Sequence, residues 1–230
     1  MRMVKLSLFL IGITLIAFAC TPKTLHDDSP ANVDKENNTE EVLDSGETDS
    51  NKYDDEQSLL DNPMSEFFLP SGTNAHYKGE GNEFAELDIE VTVLDESHVV
   101  VDEDNGGVSS RTIYQIQEDK ISILSSEPID FDDPMPTSDM ISKMIPLEIY
   151  LQKPFEVGSS FGKWTIIETD ATTETPFKTF NDVIVNEMDE DDFINRKYFA
   201  KGFGEIKREA IMITENNDDF IVTSTLQSVD

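Results

Sequence analysis

The fold class is decided by residues 84–94, which read FAELDIEVTVL. Apolar residues occupy every second position from Ala85 to Val93, and Glu, Asp and Thr stand between them. Because successive side chains of a β-strand point to opposite faces, this period of two predicts a strand with one buried face and one solvated face.

The same pattern recurs along the rest of the folded region. Further strands are predicted at 98–102, 111–116, 120–125, 163–170, 180–187, 197–200, 205–214 and 219–226. Between the first two of these, Asn105-Gly106 suits a tight hairpin turn with positive φ, and the acidic runs 189–192 and 215–218 suit turns. The sequence therefore predicts an antiparallel, mainly β architecture.

One short helix is predicted between residues 137 and 145. Ser138 could cap its first turn, Met140 and Met144 belong to an apolar stripe, and Pro146 ends it. We expect this helix to act as a lid or plug on the sheet. Its methionines are either ordinary core residues or an adaptable apolar surface for a ligand.

The N-terminus has the pattern of an export signal. Arg2 and Lys5 precede an apolar stretch, and small residues at Ala17 and Ala19 lead to Cys20, the one cysteine of the chain. This resembles the lipobox of bacterial lipoproteins, in which the cysteine receives acyl chains such as palmitate and becomes the new N-terminus. An uncleaved anchor and an ordinary signal with a coincidental cysteine are the alternatives; the apolar run is shorter than the roughly 20 residues of a spanning helix.

Three regions follow from this pattern. Residues 1–19 are predicted to be a lipoprotein signal peptide, and residues 20–63, rich in Asp, Glu, Asn and Ser, a disordered acidic linker. Residues 64–230 are predicted to form one extracytoplasmic β-rich domain. The linker is interpreted as a solvated spacer, with calcium binding as the alternative.

Charge and composition exclude several functions. The chain has 48 acidic against 17 basic residues and a formal net charge of −31, which excludes nucleic acid as a partner. A single cysteine and three histidines exclude an internal disulfide and a cysteine-built zinc site. Membrane attachment must then depend on the lipid at Cys20, because an anionic leaflet repels such a surface.

No motif predicts catalysis or a metal site. Residues 158–162 fit the G-x-S-x-G pattern of hydrolases, but a strand is predicted after Ser160 and no histidine follows it. Residues 102–107 resemble the start of a calcium loop, but Ile113 stands where an EF-hand needs glutamate. Asp130, Asp132 and Asp133 could meet other acids around a cation, although clustering by chance is expected here. We expect a protein that is not an enzyme and has no cofactor.

A family resemblance lies in two segments. Residues 77–85 read YKGEGNEFA, and residues 198–207 read YFAKGFGEIK. The second resembles the Y-[YF]-A-K-G-x-G-x-[VI]-K motif of a family of Gram-positive extracytoplasmic lipoproteins of unknown function. The resemblance implies a β-rich domain and, by analogy, a curved sheet or half-open barrel that carries or senses apolar molecules.

Candidate binding residues come from this region and from the helix. Lys201, Lys207 and Arg208 form the one basic concentration of the domain, which either neutralises Glu205 and Glu209 or binds an anion such as a carboxylate or phosphate. Trp164, the sole tryptophan, is either core or cavity lining. The candidate ligand-binding residues are Trp164, Met140, Met144, Lys201 and Lys207.

Two functional hypotheses follow. In the first, a lipid-anchored half-barrel on the extracytoplasmic face of the cell membrane holds an apolar or amphipathic ligand in a dry cavity between sheet and helix. In the second, an accessory module of the cell envelope presents its acidic surface to a protein partner or to cations and has a filled core. An enzyme would need carboxylates or His98 to converge in a cleft with shifted pKa values.

Overall fold

The computed structural model describes residues 62–130, 132–214 and 219–230. Strands with alternating buried and exposed side chains make up most of this region. All of these belong to one unit of the chain, residues 48–230. The predicted signal peptide, Cys20, nearly all of the predicted linker and the predicted turn at 215–218 lie outside the described residues.

The described residues contain twelve strands and one short α-helix. They are β1 (Thr73–Glu80), β2 (Leu87–Asp95), β3 (His98–Asp104), β4 (Ser109–Ile116), β5 (Lys120–Pro128), α1 (Ser138–Ile141), β6 (Glu148–Gln152), β7 (Ser160–Phe161), β8 (Trp164–Glu174), β9 (Thr179–Glu190), β10 (Phe193–Ala200), β11 (Gly204–Met212) and β12 (Phe220–Val229). A 3-10 helix, Ser65–Phe67, precedes β1.

The strands form one antiparallel sheet in the order β6-β5-β4-β3-β2-β1-β12-β11-β10-β9-β8-β7. Consecutive strands pair with each other except β6 and β7, and β1 pairs with β12, so that the two ends of the described domain meet in the middle of the sheet. The outer strands β6 and β7 contact each other without pairing. The sheet is therefore a nearly closed barrel with one seam, which confirms the predicted fold class.

Three strands were not predicted, because they lack a long apolar period. β1 reads TNAHYKGE, in which Ala75 and Tyr77 are the buried apolar positions. β6 is a five-residue strand, and β7 has two residues. These strands form by pairing with stronger neighbours, since β1 lies between β2 and β12.

One end of the barrel, called the base, is filled by residues 62–69, called the plug. Met64 and Phe67 are almost wholly buried in the main core, and the Phe67 ring lies 5.3 Å from Phe155 and 6.5 Å from Phe199. The plug is also tied by its backbone, because the Gly202 N–H donates to the Glu66 carbonyl at 2.6 Å. The base is thus closed by apolar packing.

The opposite end is called the mouth. In an antiparallel meander alternate connections share one end, so the connections after β1, β3, β5, β7, β9 and β11 all lie at the mouth. The connection after β1 folds back over the sheet: the Ser224 hydroxyl donates to the Ala85 carbonyl at 2.6 Å. Gly79 permits this approach, since a Cβ there would lie 2.0 Å from the Glu86 nitrogen.

The helix α1 lies on the outer face of the barrel. Its Ile141 packs in a small cluster with Val100, Ile113 and Leu124. The strand neighbours of these residues, such as Val99, belong instead to the main core. Because adjacent strand residues point to opposite faces, α1 covers the outside of β3 to β5. The expected position of a ligand, between helix and sheet, is therefore wrong: apolar side chains fill that space.

Candidate ligand-binding site

The interior of the barrel holds a cavity of about 490 Å³, called the lumen. Its lining comes from β3, β4, β5, β6, β10 and β11 and mixes charged, hydroxyl and apolar groups. The lining residues are Glu103, Ser110, Thr112, Tyr114, Ile123, Ser126, Leu147, Glu148, Tyr150, Lys197, Glu205 and Arg208. Ser110 and Ser126 lie near the mouth ends of β4 and β5, and Leu147 directly precedes β6 at the same end, so the lumen faces the mouth rather than the plugged base.

An ion-pair chain crosses the lumen. Arg208 on β11 donates through Nε to Glu205 at 2.6 Å and through Nη1 to both carboxylate oxygens of Glu103 on β3, at 2.9 and 3.1 Å. β3 and β11 are separated in the sheet by β2, β1 and β12. These contacts therefore join opposite walls and hold the barrel at its present width.

A bulge in β11 places both charged residues in the lumen. Lys207 is opposite Tyr198 and Glu205 is opposite Phe199, so Ile206 is an extra residue in the β10–β11 pairing. Without the bulge, Glu205 and Arg208, three positions apart, would point to opposite faces. With it, the two side chains meet in a hydrogen bond, and the side chain of Ile206 is buried in the main core.

Glu205 is ionised in this environment. Its side chain is only 7% exposed, and burial alone would raise its pKa. Arg208, Lys197 and the Tyr150 hydroxyl, which donates to Oε2 at 2.8 Å, outweigh burial and hold the pKa of Glu205 below its ordinary value. Burial acts to lower the pKa of Arg208, but the carboxylates of Glu205 and Glu103 keep it well above its ordinary value.

Tyrosines surround this charged group. Burial, followed by the charge of Glu205, raises the pKa values of Tyr77, Tyr114 and Tyr150. The Tyr77 hydroxyl donates to the Glu205 carbonyl at 2.7 Å, and the rings of Tyr114 and Tyr150 lie 4.9 Å apart. The tyrosines are therefore neutral donors and apolar walls at ordinary pH.

Lys197 projects into the lumen beside these groups. Its Nζ lies 3.7 Å from Glu205 Oε2, 4.5 Å from the Tyr150 ring centre and 5.1 Å from the Trp164 ring centre. The first distance is an ion pair and is too long for a hydrogen bond. Within the part of the chain that the structure describes, the ammonium of Lys197 makes no hydrogen bond, so its donors remain available.

Asn186 is the unusual buried residue of this wall. It is fully buried on β9, and neither Oδ1 nor Nδ2 has a hydrogen-bond partner among the described residues. Asn186 is directly opposite Lys197 in the β9–β10 pairing, so both side chains leave the sheet on the same face.

The residues proposed from the sequence lie in separate places. Trp164 is buried in the main core near Lys197. Met140 is 53% exposed on α1, and Met144 packs on the outer cluster. Lys201 is paired with Glu66 of the plug at 3.4 Å, and Lys207 with Glu209 at 2.6 Å. The structure does not bring these five residues together.

The basic concentration predicted near residue 205 is largely neutralised by carboxylates. Lys207 and Arg208 each pair with a glutamate of their own strand, as the first of the two alternatives expected. Sequence reasoning missed Glu103, Tyr150 and Lys197 as lumen residues, and it missed Asn186 as the buried neighbour of Lys197. A period of two counted back from Phe199 would have placed Lys197 on the buried face.

Ser160 and the acidic clusters considered as metal sites do not have the surroundings that those functions need in the described part of the chain. Ser160 lies in β7, bonds to the Thr165 hydroxyl at 3.0 Å and is followed by strand β8 rather than a helix. In residues 62–130, 132–214 and 219–230, no group of three or more His, Cys, Asp or Glu side chains could hold a metal ion. No helix of these ranges is long and apolar enough to cross a membrane.

The fold and the site define a nearly closed, twelve-stranded antiparallel barrel with a polar lumen. No family model matches the chain, and no curated protein does. The resemblance at residues 198–207 therefore stays a prediction.

Two solved structures are similar over most of their length. One is described as a proposed exported protein with a YmcC-like fold from Bacteroides fragilis NCTC 9343, with a TM-score of 0.47 and 13% identity over 71% of this chain and 98% of the other. The second is described as a proposed lipoprotein from Parabacteroides distasonis ATCC 8503, with a TM-score of 0.46 and 13% identity over 72% and 98%. Similarity at this level transfers neither ligand nor location.

Proposed function

We propose that the protein is a lipid-anchored, extracytoplasmic binding protein that holds a small amphipathic molecule in its lumen and catalyses no reaction. The observation that carries this proposal is the lumen itself. Its volume of about 490 Å³ is within the range of about 300–1,000 Å³ for small-molecule sites. One end is plugged and the other faces the mouth, so a molecule would enter with one end first.

The chemistry of the lining favours an amphipathic ligand over a purely apolar one. Tyr114, Ile123, Leu147 and the Tyr150 ring supply apolar surface, whereas the ion-pair chain through Arg208 supplies charge. A hydrocarbon alone would remove water from the unused donors of Lys197 and Arg208 and offer no hydrogen bond in return, which is costly. This refines the dry cavity expected from the sequence.

The same arrangement favours binding over catalysis. Glu205 is held ionised by Arg208 and Tyr150, so it is poorly placed to exchange a proton near neutral pH. As far as the described residues go, the lumen lining has no histidine or cysteine. The groups present can orient a charged or polar headgroup.

The anchor of this proposal is Cys20, which lies outside the described residues. A diacylated cysteine would hold the protein at the membrane by its buried acyl chains, each CH₂ contributing about 0.8 kcal/mol. The acidic linker, residues 20–63, would keep the domain away from an anionic surface.

Binding is tested with the full chain and its single tryptophan. Trp164 lies beside Lys197, so decanoate or decanol entering the lumen should change its fluorescence in a saturable titration. A Thr112→Phe variant fills the lumen without removing a charge and should abolish this response. Thr172→Phe places the same ring at an exposed site on β8 and should leave the response unchanged. An equal response of all three proteins would overturn the proposal.

A second function is supported by a separate feature at the mouth. Phe193, Met212 and Phe220 are neighbours across β10, β11 and β12, and each is between 41% and 49% exposed. An apolar row of this kind beside the acidic turn at residues 189–192 fits an envelope protein with apolar and basic side chains. A protein that stays empty in the fluorescence titrations but gains a partner in crosslinking lost by Phe193→Ser would favour this role.

A further inference from the structure

We infer that Lys197, Arg208 and Asn186 form an anion subsite in the lumen, which binds the oxyanion headgroup of an amphipathic molecule, a carboxylate or a phosphate monoester. This inference rests on the proposed function, because it assigns the headgroup chemistry of a ligand held in the same lumen. It concerns one wall, where β9, β10 and β11 are adjacent in the sheet.

The wall formed by β9, β10 and β11 has hydrogen-bond donors that the described residues do not use. Arg208 uses Nε for Glu205 and Nη1 for Glu103, and no partner is found for its Nη2 in the described residues. Lys197 is directly opposite Arg208 in the β10–β11 pairing, and its ammonium makes no hydrogen bond to the described residues. Two adjacent cations thus offer unused donors on the same face of the sheet.

The carboxylates do not exhaust this positive charge. Glu205 already accepts from Tyr150 and from Arg208 Nε, and Glu103 accepts from Arg208 Nη1 through both of its oxygens. Lys197 is 3.7 Å from Glu205, so an incoming oxyanion can take its hydrogen bonds without breaking any other. The group of two acids and two bases is neutral, whereas the chain as a whole carries −31, so an anion meets less repulsion here than over the protein surface.

The unpartnered side-chain amide of Asn186 supports an anion subsite independently of the two cations. A fully buried amide without a partner is unfavourable and rare in folded proteins, so Asn186, which has no partner among the described residues, points to a partner that these residues do not supply. The register places its side chain on the same face as Lys197, one strand further along the wall. Asn186 lies beside the lumen rather than in its lining, and in this proposal its Nδ2 is a further donor to an oxyanion that Lys197 binds.

The shape of the lumen fits an anion with an apolar chain. Ile123 and Leu147 lie on the opposite side of the cavity lining, on β5 and just before β6, while Lys197 and Arg208 lie on β10 and β11. A headgroup on the basic wall would leave the chain against these apolar side chains and near the mouth. Trp164, beside Lys197, would report the headgroup.

The test compares ligands that share one chain and differ in headgroup. Decanoate, decyl phosphate and decanol are titrated into the full-length protein by calorimetry and by Trp164 fluorescence, with inorganic phosphate as the chain-free anion. We expect an anionic ligand to bind about ten- to hundredfold more tightly than decanol. The tighter of decanoate and decyl phosphate assigns the headgroup, and inorganic phosphate binding as tightly as decyl phosphate would assign the subsite to a free anion.

Two variants distinguish an effect on anion binding from an effect on the stability of the fold. Lys197→Met keeps the length of the side chain and should remove most of the preference for the anionic ligand over decanol. Asn186→Leu should weaken anion binding about tenfold and yet raise Tm by roughly 2–6 °C, since it removes an unpartnered buried amide. A merely structural asparagine would not change the ratio of decanoate to decanol affinity. Lys163→Met, at an exposed lysine, is the matched control and should change neither quantity.

The outcomes distinguish this inference from the proposed function. Equal affinity for decanoate and decanol, with both lost in Thr112→Phe, would overturn the anion subsite while supporting a ligand-binding lumen. Unchanged anion preference in both Lys197→Met and Asn186→Leu would also overturn the subsite. Binding of none of the four ligands would overturn the subsite and the proposed function together.

Discussion

Replacing Gly204 by alanine tests how the plug closes the base of the barrel. Gly204 has φ +76°, and a Cβ there would lie 2.5 Å from the Phe67 carbonyl oxygen. Gly202 is a matched control, because its φ is +77° and a Cβ there would meet nothing within 4 Å. The two substitutions share the backbone effect and differ in the contact with the plug.

The expected losses follow from these two geometries. A positive φ costs an alanine about 1–2 kcal/mol, and the stiffer unfolded chain returns about 0.4–1 kcal/mol, so Gly202→Ala should lower the free energy of unfolding by about 1 kcal/mol. Gly204→Ala has the same contribution plus an overpacking cost of about 1–3 kcal/mol, because the backbone of Phe67 must move. Its total loss should be about 2–4 kcal/mol.

Urea unfolding followed by Trp164 fluorescence measures both losses. The two variants should unfold with the same dependence on urea, and Gly204→Ala should unfold at the lower concentration. Equal losses in the two variants would refute the reasoning, because the plug would then not be held against β11 at this point. A loss in Gly202→Ala larger than in Gly204→Ala would refute it as well.

Three further predictions concern charge and location. The pKa of Glu205 is held below the ordinary 4.5, so its carboxylate should stabilise the fold above about pH 4.5 and lose this contribution as pH falls through its folded pKa. Glu205→Gln should lower the free energy of unfolding by about 2 kcal/mol at pH 7 and make it fall less steeply between pH 7 and pH 3, as measured by urea titrations. A fall as steep as in the wild type would contradict this. The pKa values of Tyr77 and Tyr114 are raised, so the neutral phenols stabilise the fold fully below about pH 10 and this contribution is lost as pH rises further. Absorbance at 295 nm, which follows tyrosine ionisation, should rise at higher pH in the folded than in the urea-unfolded protein. Coincident titration curves of the two states would contradict the burial of these tyrosines. Cys20→Ser should release the protein from membranes on fractionation of the host cell, with whole-cell expression as the control, and retention in the membrane fraction would contradict lipid anchoring.

The strands that alternate strongly could be predicted from the sequence. Residues 84–94 cover all of β2 except its last residue, Asp95, and the hairpin at Asn105-Gly106 joins β3 to β4 as expected. The closure of the sheet could not be predicted, because it depends on the pairing of β1 with β12 at opposite ends of the domain. β1 carries few apolar residues, so its place is decided by its neighbours rather than by its own pattern.

The candidate site was harder to predict because it depends on a bulge and on long-range contacts. The extra residue Ile206 places Glu205 and Arg208 on the same face of the sheet. Strict alternation along the sequence predicts opposite faces for these two positions. Arg208 then meets Glu103, 105 positions earlier in the chain. Lys197 could have been predicted, because it is two positions before the buried Phe199 in the same strand.

The helix shows the opposite outcome. Its position was predicted correctly, since Ser138–Ile141 lies within 137–145, and Thr137 accepts the first-turn hydrogen bond from Met140 that Ser138 was expected to take. The helix covers the sheet as expected, but the predicted ligand position beneath it was wrong, because an apolar stripe fits either face of a sheet equally well. Only the contacts of Ile141 with Val100 and Leu124 place it outside the barrel.

The central claim is that the lumen holds an amphipathic small molecule, and the most direct test is native mass spectrometry of the full chain purified from its own host. The account predicts a co-purifying molecule at one copy per protein, retained by Thr172→Phe and absent from Thr112→Phe. Extraction and mass measurement of that molecule should show an apolar chain and an oxyanion headgroup. An empty wild-type protein that also takes up neither decanoate nor decanol would contradict the claim.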